Sequence, residues 1–447
     1  MRHSSQLPPR PTPALPALAR YARPALPALP VLARYARPAL LALLLVTASC
    51  AGDRSAAPPA WSTVTDTIAD TVVVRTVGAS DSAALLGLEP LLRIGETDGA
   101  EEYTFGYVGQ ILPAPHGDVY VWDGQANVLR RYDSTGTFVR QVGRKGGGPG
   151  EYDMPIGMDA LPDGRLAIWD ARHQRVNVYD STGTFVGSWR AATNYFMQHA
   201  LRVDSAGRIN LQIPIGERDA TGTMPIGIVR YTADGAALDT LVPPMLPTPG
   251  TLSQEGKQGS GVMVMRHYIP YLPQPDWRVS PLGYLVSTPS DRYAITLARP
   301  DGPLRIERDV PAVAVDEAER SQIERSMTRS IQRQSPGWRW NGPPVPDRKP
   351  PVEGLRVADD GRIWVARSFA SERVDDPDAD TTDGEAEQLW RSPSGYDVFG
   401  ADGHWLGHLP LPRGTALLHM RGDTAWGTVT DSLGVQRVVR FRITGMK

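Results

Sequence analysis

The segment 143–151 holds residue types that could do chemistry. It contains five glycines together with Arg144 and Lys145, and it ends at Glu151, which Tyr152 follows. Successive backbone N–H groups in such a segment can hold a phosphate or a carboxylate, and the two basic side chains would add positive charge. The segment lacks the Gly-Lys-Ser/Thr ending of a P-loop, and glycines also suit a sharp turn between two structural units. We favour the structural role and keep these four side chains as candidate surface-binding residues.

Histidine and serine motifs for catalysis or metal binding are weak in this sequence. It contains no His-Glu-x-x-His pair and no Gly-x-Ser-x-Gly segment, so neither a zinc hydrolase nor a hydrolase nucleophile elbow is indicated. His173, beside Arg172, is the one histidine that we expect in a loop suited to catalysis or metal binding. The catalytic and metal-binding residues therefore stay unknown. The sequence requires no cofactor, and Ca²⁺ or Zn²⁺ binding stays open.

An acidic segment at 375–387 carries seven carboxylate residues. Alternating carboxylates can ligate Ca²⁺, but the order of an EF-hand loop, with its glycine and its final glutamate, is absent. A solvated loop is the better interpretation of such a charge run.

Residues 315–335 have the periodicity of a helix. Ile323, Met327 and Ile331 recur at a spacing of four, and acidic residues precede basic ones, which suits the helix dipole. Trp338 and Trp340 follow this segment. We predict a helical insertion that either covers the strands beneath it or caps a central channel, with the two tryptophans as a stacking platform.

The elements that must position these residues repeat along the chain. The octapeptide YDSTGTFV stands at 132–139 and again at 179–186, and the related segments 115–123 and 162–170 lie the same 47 residues apart. Two landmarks with a common offset indicate a structural repeat. Within a repeat, apolar residues alternate as in β-strands, and Pro-Asp-Gly and Ser-Thr-Gly supply tight turns. Each repeat therefore predicts four short antiparallel strands.

Weaker copies of this pattern extend it to six units, of which the last ends after its third strand. The segment Asp70–Val77 (DTVVVRTV) stands ahead of the first unit and is predicted to supply the missing strand, since an N-terminal strand can close a propeller. The predicted fold class is all-β: a six-bladed β-propeller of four-stranded antiparallel blades, closed by an N-terminal strand, with a short helical insertion. A β-sandwich or two smaller β-domains is the alternative.

Two segments resemble bacterial six-bladed β-propellers of the NHL-repeat type. Residues 162–186 (PDGRLAIWDARHQRVNVYDSTGTFV) are similar to the family's turn glycine, its apolar strand ending in Asp, and its strand before an Asp-x-x-Gly turn. Residues 143–152 (GRKGGGPGEY) resemble the link between blades in envelope-associated members. The resemblance implies the propeller fold over roughly 70–190. Some propellers of this type are metal-dependent lyases with histidine ligands around the channel, but no such motif matches here residue by residue.

The geometry of a four-stranded antiparallel blade sorts its loops onto two faces. The link to the next blade and the loop between strands two and three emerge on one face, here termed the insertion face. The other two turns emerge on the opposite, tight-turn face. The long segments all fall on the insertion face: 143–155, 216–225, 243–280, 311–350 and 370–395. Function in repeat proteins tends to lie on the face with insertions, so we expect the ligand there. The candidate binding residues of this face also include Arg172, His173, Trp338 and Trp340.

Residues 1–50 differ in composition from the rest of the chain, with six arginines, nine prolines and no acidic residue. They end in an apolar stretch, 39–49, of eleven residues, which is shorter than the roughly 20 that a membrane-spanning helix needs. These features are typical of a secretory signal. The sequence LARYARPAL occurs at 18–26 and at 32–40, and a translation start at Val31 would leave a signal of ordinary length.

The single cysteine, Cys50, stands at the end of this signal. LVTASC at 45–50 resembles a bacterial lipobox, in which the cysteine is lipidated and becomes the mature N-terminus, although Thr47 departs from the usual apolar residue. An ordinary signal peptide is the alternative. Ala51 is not the aspartate associated with inner-membrane retention, so we expect the outer membrane rather than the inner one. The predicted organisation is a signal peptide with lipobox at 1–50, a flexible linker at 51–66 and the propeller at 67–447.

Outside residues 1–50, 41 basic residues stand against 49 acidic ones. This mildly acidic balance gives no reason to expect nucleic acid as a partner, and one cysteine excludes a disulfide framework. We therefore expect an exported module, lipid-anchored to the cell envelope, that binds or scaffolds a protein, peptide or glycan and contacts the membrane through its lipid. A metal-dependent hydrolase or lyase with its site in the central channel is the alternative.

Overall fold

Short strands joined by tight turns run through the chain in the computed structural model of the protein. The structure describes residues 61–191, 201–217, 224–247, 249–258, 261–374 and 389–446. The predicted signal and lipobox with Cys50, His199 and the acidic segment 375–387 lie outside the described residues.

The strands of the first half are numbered here in chain order. Three precede the first blade: β1 (Ser62–Ile68), β2 (Thr71–Val77) and β3 (Gly87–Ile94). Blade one comprises β4 (Val108–Pro113), β5 (Val119–Asp123), β6 (Val128–Tyr132) and β7 (Phe138–Gln141), and a two-stranded ladder follows, β8 (Arg144–Lys145) with β9 (Glu151–Tyr152). Blade two comprises β10 (Pro155–Ala160), β11 (Leu166–Asp170), β12 (Arg175–Tyr179) and β13 (Phe185–Arg190). Blade three comprises β14 (Arg202–Val203), β15 (Ile209–Pro214), β16 (Ile226–Tyr231) and β17 (Ala237–Leu241).

The second half carries the larger insertions. A hairpin of β18 (Thr251–Gln258) and β19 (Gly261–Tyr268) precedes blade four, which comprises β20 (Asp276–Val279), β21 (Leu285–Thr288), β22 (Ala294–Leu297) and β23 (Leu304–Arg308). Then come β24 (Val313–Ala314), the helix α1 (Glu317–Gln334) and β25 (Arg348–Lys349). Blade five comprises β26 (Val352–Val357), β27 (Ile363–Arg367), β30 (Ser394–Phe399) and β31 (Trp405–Leu411), interrupted by the ribbon β28 (Glu372–Val374) and β29 (Leu389–Arg391). Blade six contains β32 (Thr415–Arg421), β33 (Thr424–Thr430) and β34 (Gln436–Thr444).

The six blades are antiparallel meanders of four strands, so the fold is a six-bladed β-propeller, as the repeats predict. The order in blades one to five follows the chain, and blade six has the order β3-β34-β33-β32. The predicted fold class, including the short helix, is confirmed.

The identical octapeptides build identical turns. In the first copy, Asp133 Oδ1 accepts hydrogen bonds from the backbone N–H groups of Thr135 and Thr137, both at 2.9 Å. Asp180 makes the same two bonds in the second copy, also at 2.9 Å. The turn glycine Gly183 has φ of 85°, a left-handed conformation that costs other residues about 1–2 kcal/mol.

The N-terminal strand that closes the ring is β3, and the segment Asp70–Val77 has a different role. β3 pairs antiparallel with β34, for example Leu88 with Ile443, and so supplies the fourth strand of blade six. The segment that we predicted for this place forms β2, which pairs parallel with β23 at the outer edge of blade four. β1 pairs with β2 beyond it. Closure by an N-terminal strand is confirmed, and the choice of strand was wrong.

Local features of the two strands explain the difference. Pro90 argues against a strand at 87–94 because it cannot donate to a ladder, but the register of β3 is interrupted between Pro90 and Leu92, where the missing donor is tolerated. In β2, Val73 and Val74 are both buried although they point to opposite faces, so this strand needs cover on both sides. β1 begins at Ser62, inside the segment 51–66 that composition predicts as a linker.

The apolar core lies between neighbouring blades. Trp169 of blade two is fully buried in a cluster that it shares with Leu211 of blade three. Ile295 of blade four shares another cluster with Val365 of blade five. Each such side chain contributes about 1.5–3 kcal/mol on burial, and this packing holds neighbouring blades together.

The helix α1 agrees with the predicted segment 315–335. Asp316 caps its first turn by accepting from a backbone N–H group two residues later. Ile323, Met327 and Ile331 pack in one apolar cluster with Leu252 of the β18–β19 hairpin. Among the described residues, we find no helix that combines the length and the apolar character needed to cross a membrane.

Candidate functional site

The glycine-rich segment folds around a carboxylate of its own chain. Glu151 accepts a hydrogen bond from the Gly148 backbone N–H and another from Arg144 Nε, each at 2.7 Å. These two bonds, the backbone bond first, lower the pKa of Glu151 below its usual value. The anion held by this segment is therefore the side chain of Glu151.

Arg175, from β12 of blade two, fixes the shape of the same segment. Its guanidinium donates to the backbone carbonyl oxygens of Gly147 and Gly148, both at 3.0 Å, and to that of Glu151 at 2.6 Å. Because arginine presents five N–H donors in a rigid plane, one side chain can hold three carbonyl groups of a loop. This arrangement supports the structural role of the glycines between blades.

Tyr152 is not a surface residue, so its prediction as a binding residue was wrong. Its side chain is fully buried. Its hydroxyl donates to the Val142 carbonyl oxygen at 2.7 Å and accepts from the Leu129 backbone N–H at 3.1 Å. Tyr152 therefore holds the link between blades against blade one. The sequence alone does not indicate this packing role.

The other predicted residues of this region form a charged surface group beside the link between blades one and two. Arg172 is exposed and pairs with Asp153 at 2.6 Å. His173 Nδ1 lies 2.7 Å from Oδ2 of Asp170, which is fully buried at the end of β11. Lys145 is exposed next to Arg144 in β8. The structure thus brings together Arg144, Lys145, Glu151, Arg172 and His173.

Trp338 and Trp340 lie in a different part of the insertion face. Both pack, half-buried, in the cluster of α1 and the β18–β19 hairpin. Trp338 Nε1 donates to the carbonyl oxygen of Ser253, and Trp340 Nε1 donates to that of Pro343, each at 2.8 Å. Their indole groups hold the insertions together, which favours the covering role of the helix over a stacking platform.

Charged residues at a repeated position of the inner strands were missed by the sequence predictions. The residue five positions before the first turn glycine is charged in four consecutive blades: Asp159, Arg202, Arg278 and Arg356. Each pairs with the residue three positions after that glycine, as Asp159 does with Ala167. The common register places the four residues at one level of the channel wall. The constant distance from the turn glycine is the signal that could have identified them.

A chain of four ionisable groups crosses this level of the channel. Arg202 Nε lies 3.6 Å from Asp159 Oδ2, and Arg202 Nη2 lies 3.5 Å from Asp359 Oδ1. His419 Nε2 lies 3.0 Å from Asp359 Oδ2. Burial raises the pKa of Asp159. Burial acts in the same direction on Asp359, but His419 and then Arg202 outweigh it and lower the pKa of that carboxyl group. Among the described histidines, His419 rather than His173 therefore reaches the channel.

Arg278 and Arg356 continue the charged level on blades four and five. Arg278 pairs with Asp276 at 2.7 Å. Burial lowers the pKa of Arg278, Asp276 opposes that effect, and the positive charge of Arg356 adds to it. Arg356 Nε donates to the Tyr396 hydroxyl at 3.2 Å, and the guanidinium forms no ion pair with a residue in the described part of the chain. The positive charge of Arg356 also acts on Asp276, so Arg278 and Arg356 share this one carboxylate.

Two cavities show how a ligand would reach these groups. One of about 230 Å³ is lined by the three arginines together with Asp359 and His419. Another of about 790 Å³ lies among the first turns of several blades, at Pro162, Ser205 and Pro281, and also contacts Asp359 and His419. The wider cavity therefore lies on the tight-turn face, opposite the face where we expected the ligand.

Asp81, Asp397 and His408 are the one group of three potential metal ligands that converge within the described ranges. Arg308 donates to both carboxylates, and Arg367 donates to Asp81. A metal ion there would face two guanidinium groups that already balance the two negative charges. We therefore assign this group a structural role between blades four and five.

Solved structures with a similar fold cover most of this chain at low identity. A presumed exported protein from Bacteroides fragilis matches with a TM-score of 0.44 and 11% identity, over 83% of this chain and 99% of its own. A member of the DUF4221 family from Bacteroides vulgatus matches with a TM-score of 0.47 and 9% identity, over 80% and 98%. A streptogramin B lyase matches with a TM-score of 0.38 and 11% identity, over 80% and 98%. No protein-family profile and no curated protein matches the sequence. These likenesses concern the fold alone.

Proposed function

We propose that the protein is an exported, lipid-anchored binding protein of the bacterial envelope, with an NHL-type propeller whose channel holds the carboxylate of a peptide or glycan. The segment that ends at Cys50 supports export and lipidation, because a basic stretch and a short apolar stretch precede the single cysteine. Ala51 supports the outer membrane as the location. Metabolic labelling with a fatty-acid analogue, retained by the wild-type protein and lost in Cys50→Ser, tests the anchor.

The ligand proposal rests on the surroundings of Arg356, whose guanidinium forms no direct ion pair with a described residue. Its guanidinium lines the smaller channel cavity and uses Nε on a neutral hydroxyl group. Asp276 pairs with Arg278 and is also acted on by the charge of Arg356, and Asp359 is shared by Arg202 and His419. Among the described residues, one carboxylate therefore serves the two guanidinium groups of Arg278 and Arg356, which favours a second carboxylate from a ligand.

The chemistry of arginine favours a carboxylate at this place. A guanidinium binds a carboxylate through two parallel N–H···O bonds, and such charge-assisted bonds are about twice as strong as neutral ones. The partly buried position strengthens the attraction relative to bulk water. Burial and, to a smaller extent, the positive charge of Arg356 lower the pKa of Arg278, and a bound anion would offset that positive charge.

The sizes of the two cavities favour the end of a peptide or glycan as the ligand, rather than the surface of a folded protein. The inner cavity of about 230 Å³ suits one acidic end group, and the outer cavity of about 790 Å³ suits the residues or sugars attached to it. Ligand sites commonly measure roughly 300–1,000 Å³. A peptide C-terminus or an acidic sugar thus enters from the tight-turn face.

Arg356→Met is expected to weaken binding of acidic ligands at least about tenfold, because a hydrogen bond to a charged group contributes about 1.5–3 kcal/mol. The probes are short peptides with a free C-terminus, the same peptides as C-terminal amides, oligogalacturonides, and their methyl esters. Titration calorimetry should show that an acid binds the wild-type protein more tightly than its neutral counterpart. The Arg356→Met variant should lose that preference.

Arg413→Met is the matched control for this experiment, since Arg413 is exposed between β31 and β32 on the other face. It removes the same charge and should leave binding unchanged. Equal binding of acid and neutral probes, loss of preference in both variants, or no binding of any acidic probe would contradict the proposal.

The described residues give the metal-dependent hydrolase or lyase no support. In the channel, Arg202 lies within 3.6 Å of both Asp159 and Asp359, so a guanidinium already bridges the two carboxylates. The group at Asp397 has two arginines of its own. We therefore do not carry the metal enzyme forward as a second candidate.

A further inference from the structure

A cluster of reactive side chains lies on the insertion face, where β25, the start of α1 and the β28–β29 ribbon meet. Lys349 is 4% exposed and Glu319 is 2% exposed. Ser371 directly precedes β28 and Ser392 directly follows β29, so the antiparallel ladder places the two serines beside each other. Their Oγ atoms are 3.1 Å apart.

Lys349 holds the two serines in place. Its Nζ lies 2.6 Å from the Oγ atoms of Ser371 and Ser392 and 2.9 Å from the Phe369 carbonyl oxygen. The same ammonium group lies 4.6 Å from the ring centroid of Tyr271. An ammonium group has three donors and no acceptor. The three oxygens therefore satisfy it, and each serine hydroxyl accepts one of its bonds.

Glu319 sets the direction of the Ser371 hydroxyl. Its Oε1 lies 2.6 Å from Ser371 Oγ and 2.6 Å from the Tyr271 hydroxyl. Because a carboxylate only accepts, Ser371 donates its proton to Glu319 while it accepts from Lys349. Burial and then the bond to Glu319 raise the pKa of Tyr271 to about 12. This phenol therefore keeps its proton and orients the carboxylate.

We propose that Ser371 is the nucleophile of a second site, which hydrolyses carboxylic esters with Glu319 as general base and Lys349 as the cation that stabilises the serine oxygen. A hydroxyl bonded to a base that a third group orients is the arrangement that activates serine. Here the hydroxyl, the carboxylate and the phenol stand in that order with two contacts of 2.6 Å. The site is separate from the channel and does not depend on its ligand.

The reaction balances with these groups and water. Ser371 Oγ attacks the carbonyl carbon of the ester while its proton passes to Glu319. The bond to the alcohol oxygen then breaks, the alcohol takes that proton, and the acyl group stays on Ser371. Water attacks the acyl-enzyme as Glu319 accepts its proton, the carboxylic acid leaves, and the proton returns to Ser371.

A cavity of about 370 Å³ borders the cluster at Tyr271 and Lys349. Proline, valine and alanine supply most of its other lining, with Asp291 and Arg348 as further charged residues. An apolar lining favours an uncharged acyl or alcohol group over the acidic ligand of the channel. Small neutral esters are therefore the expected substrate class.

Two reagents test the site on the mature protein: a fluorophosphonate, which reacts covalently with activated serines, and p-nitrophenyl acetate. Peptide mass spectrometry should place the fluorophosphonate adduct on Ser371. Ser371→Ala should abolish the adduct and lower ester hydrolysis about 100-fold or more, and Glu319→Gln should lower the rate about 100-fold, as expected when a general base is lost. Ser392→Ala should keep the adduct on Ser371, and Arg413→Met, which changes an exposed arginine between β31 and β32, should keep full activity.

The mapping on the wild-type protein decides the proposal even if a variant fails to fold. An adduct on Ser392, or no adduct above that of the heat-denatured protein, would overturn it. A folded Ser371→Ala protein with undiminished hydrolysis would overturn it as well, where folding is judged by a thermal melt that matches the wild type. A purely structural cluster would change the melt without giving any adduct.

Discussion

Replacing Asp397 by asparagine is expected to lower the free energy of unfolding by about 3–5 kcal/mol, because removal of one partner leaves buried charges uncompensated. Asp397 is fully buried in β30, and the side chains of Arg308 and Arg367 are 1% and 5% exposed. Arg308 donates to Asp397, and Arg367 Nη1 lies 3.6 Å from it. The two guanidinium groups would keep their burial and lose their main counter-charge.

The hydrogen-bond partners of Asp397 make the loss larger than that of the charge alone. The Tyr293 hydroxyl donates to Oδ2 at 2.7 Å, and His408 Nδ1 lies 3.0 Å from Oδ1. Every neighbour thus presents a donor to this carboxylate, whereas asparagine replaces one acceptor by an NH₂ group. Asp81, the other carboxylate of the group, has a side chain that is 41% exposed, so it balances the arginines less well.

The same residue predicts how stability depends on pH. Burial would raise the pKa of Asp397, but His408 and then Arg308 and Arg367 outweigh it and lower the pKa below the usual value. A carboxyl group whose pKa is depressed in the folded state stabilises the protein above the unfolded pKa of about 3.9. That contribution is lost as the pH falls through the folded value. The Asp397→Asn variant should therefore lose less stability below about pH 4 than the wild type does.

Urea unfolding monitored by tryptophan fluorescence measures the difference, with Asp402→Asn as the control. Asp402 pairs with His404 at 3.2 Å, but their side chains are 69% and 53% exposed, and exposed pairs contribute about 0–1 kcal/mol. Equal losses in the two variants would contradict the structural role that we assign to the buried group.

The parts of this fold that local chemistry determines were predictable from the sequence. The octapeptide around Gly136 and its copy around Gly183 specify a turn by themselves, because Asp133 and Asp180 bond to N–H groups only two and four residues away. The spacing of Ile323 and Ile331 likewise predicts the helix, whose apolar face they share.

Features that depend on distant partners were not predictable in this way. β2 and β3 are both apolar strands ahead of the first blade, and their partners lie more than 200 residues further along, at 304–308 and 436–444. The charged residues of the channel wall come from four different blades, so no local sequence motif contains them together. They are Asp159, Arg202, Arg278 and Arg356. Lys349 and Ser392 are 43 residues apart in sequence and meet only because two insertions fold against each other.

The two proposed sites follow from how a propeller divides its surface. The inner strands carry charged residues at one fixed position before the first turn, so the acidic-ligand site lies towards the tight-turn face. The insertions on the opposite face pack on one another and bury Lys349 and Glu319 between them. The repeated inner strands thus form the channel site, and the non-repeated insertions form the site around Lys349 and Glu319.

Removal of β3 is expected to abolish cooperative folding, because this strand joins the two ends of the ring. A truncated chain that begins at residue 96 lacks β1, β2 and β3, and with β3 the seven paired positions between β3 and β34. It also loses Leu86 and Ile94, both 2% exposed, from the clusters that hold blade six to its neighbours. Each such side chain contributes about 1.5–3 kcal/mol. With the lost ladder, the sum approaches the 5–15 kcal/mol that typically stabilises a domain.

A truncated chain that begins at residue 79 is the control, because it tests whether the loss of any N-terminal strand has the same effect as the loss of the strand that closes the ring. It lacks β1 and β2, and with them the buried Val73 and Val74, but it keeps β3 in place. We expect it to unfold cooperatively at a lower temperature than the wild type, with a loss of about 3–6 kcal/mol for the two valines. Circular dichroism melts of both chains make the comparison. A cooperative transition in the chain from residue 96 would show that blade six folds with three strands. The pairing of β3 with β34 would then not be required for the stability of the ring. Loss of the transition already in the chain from residue 79 would show that β1 and β2 are themselves required for folding, so that the loss in the shorter chain could not be assigned to β3.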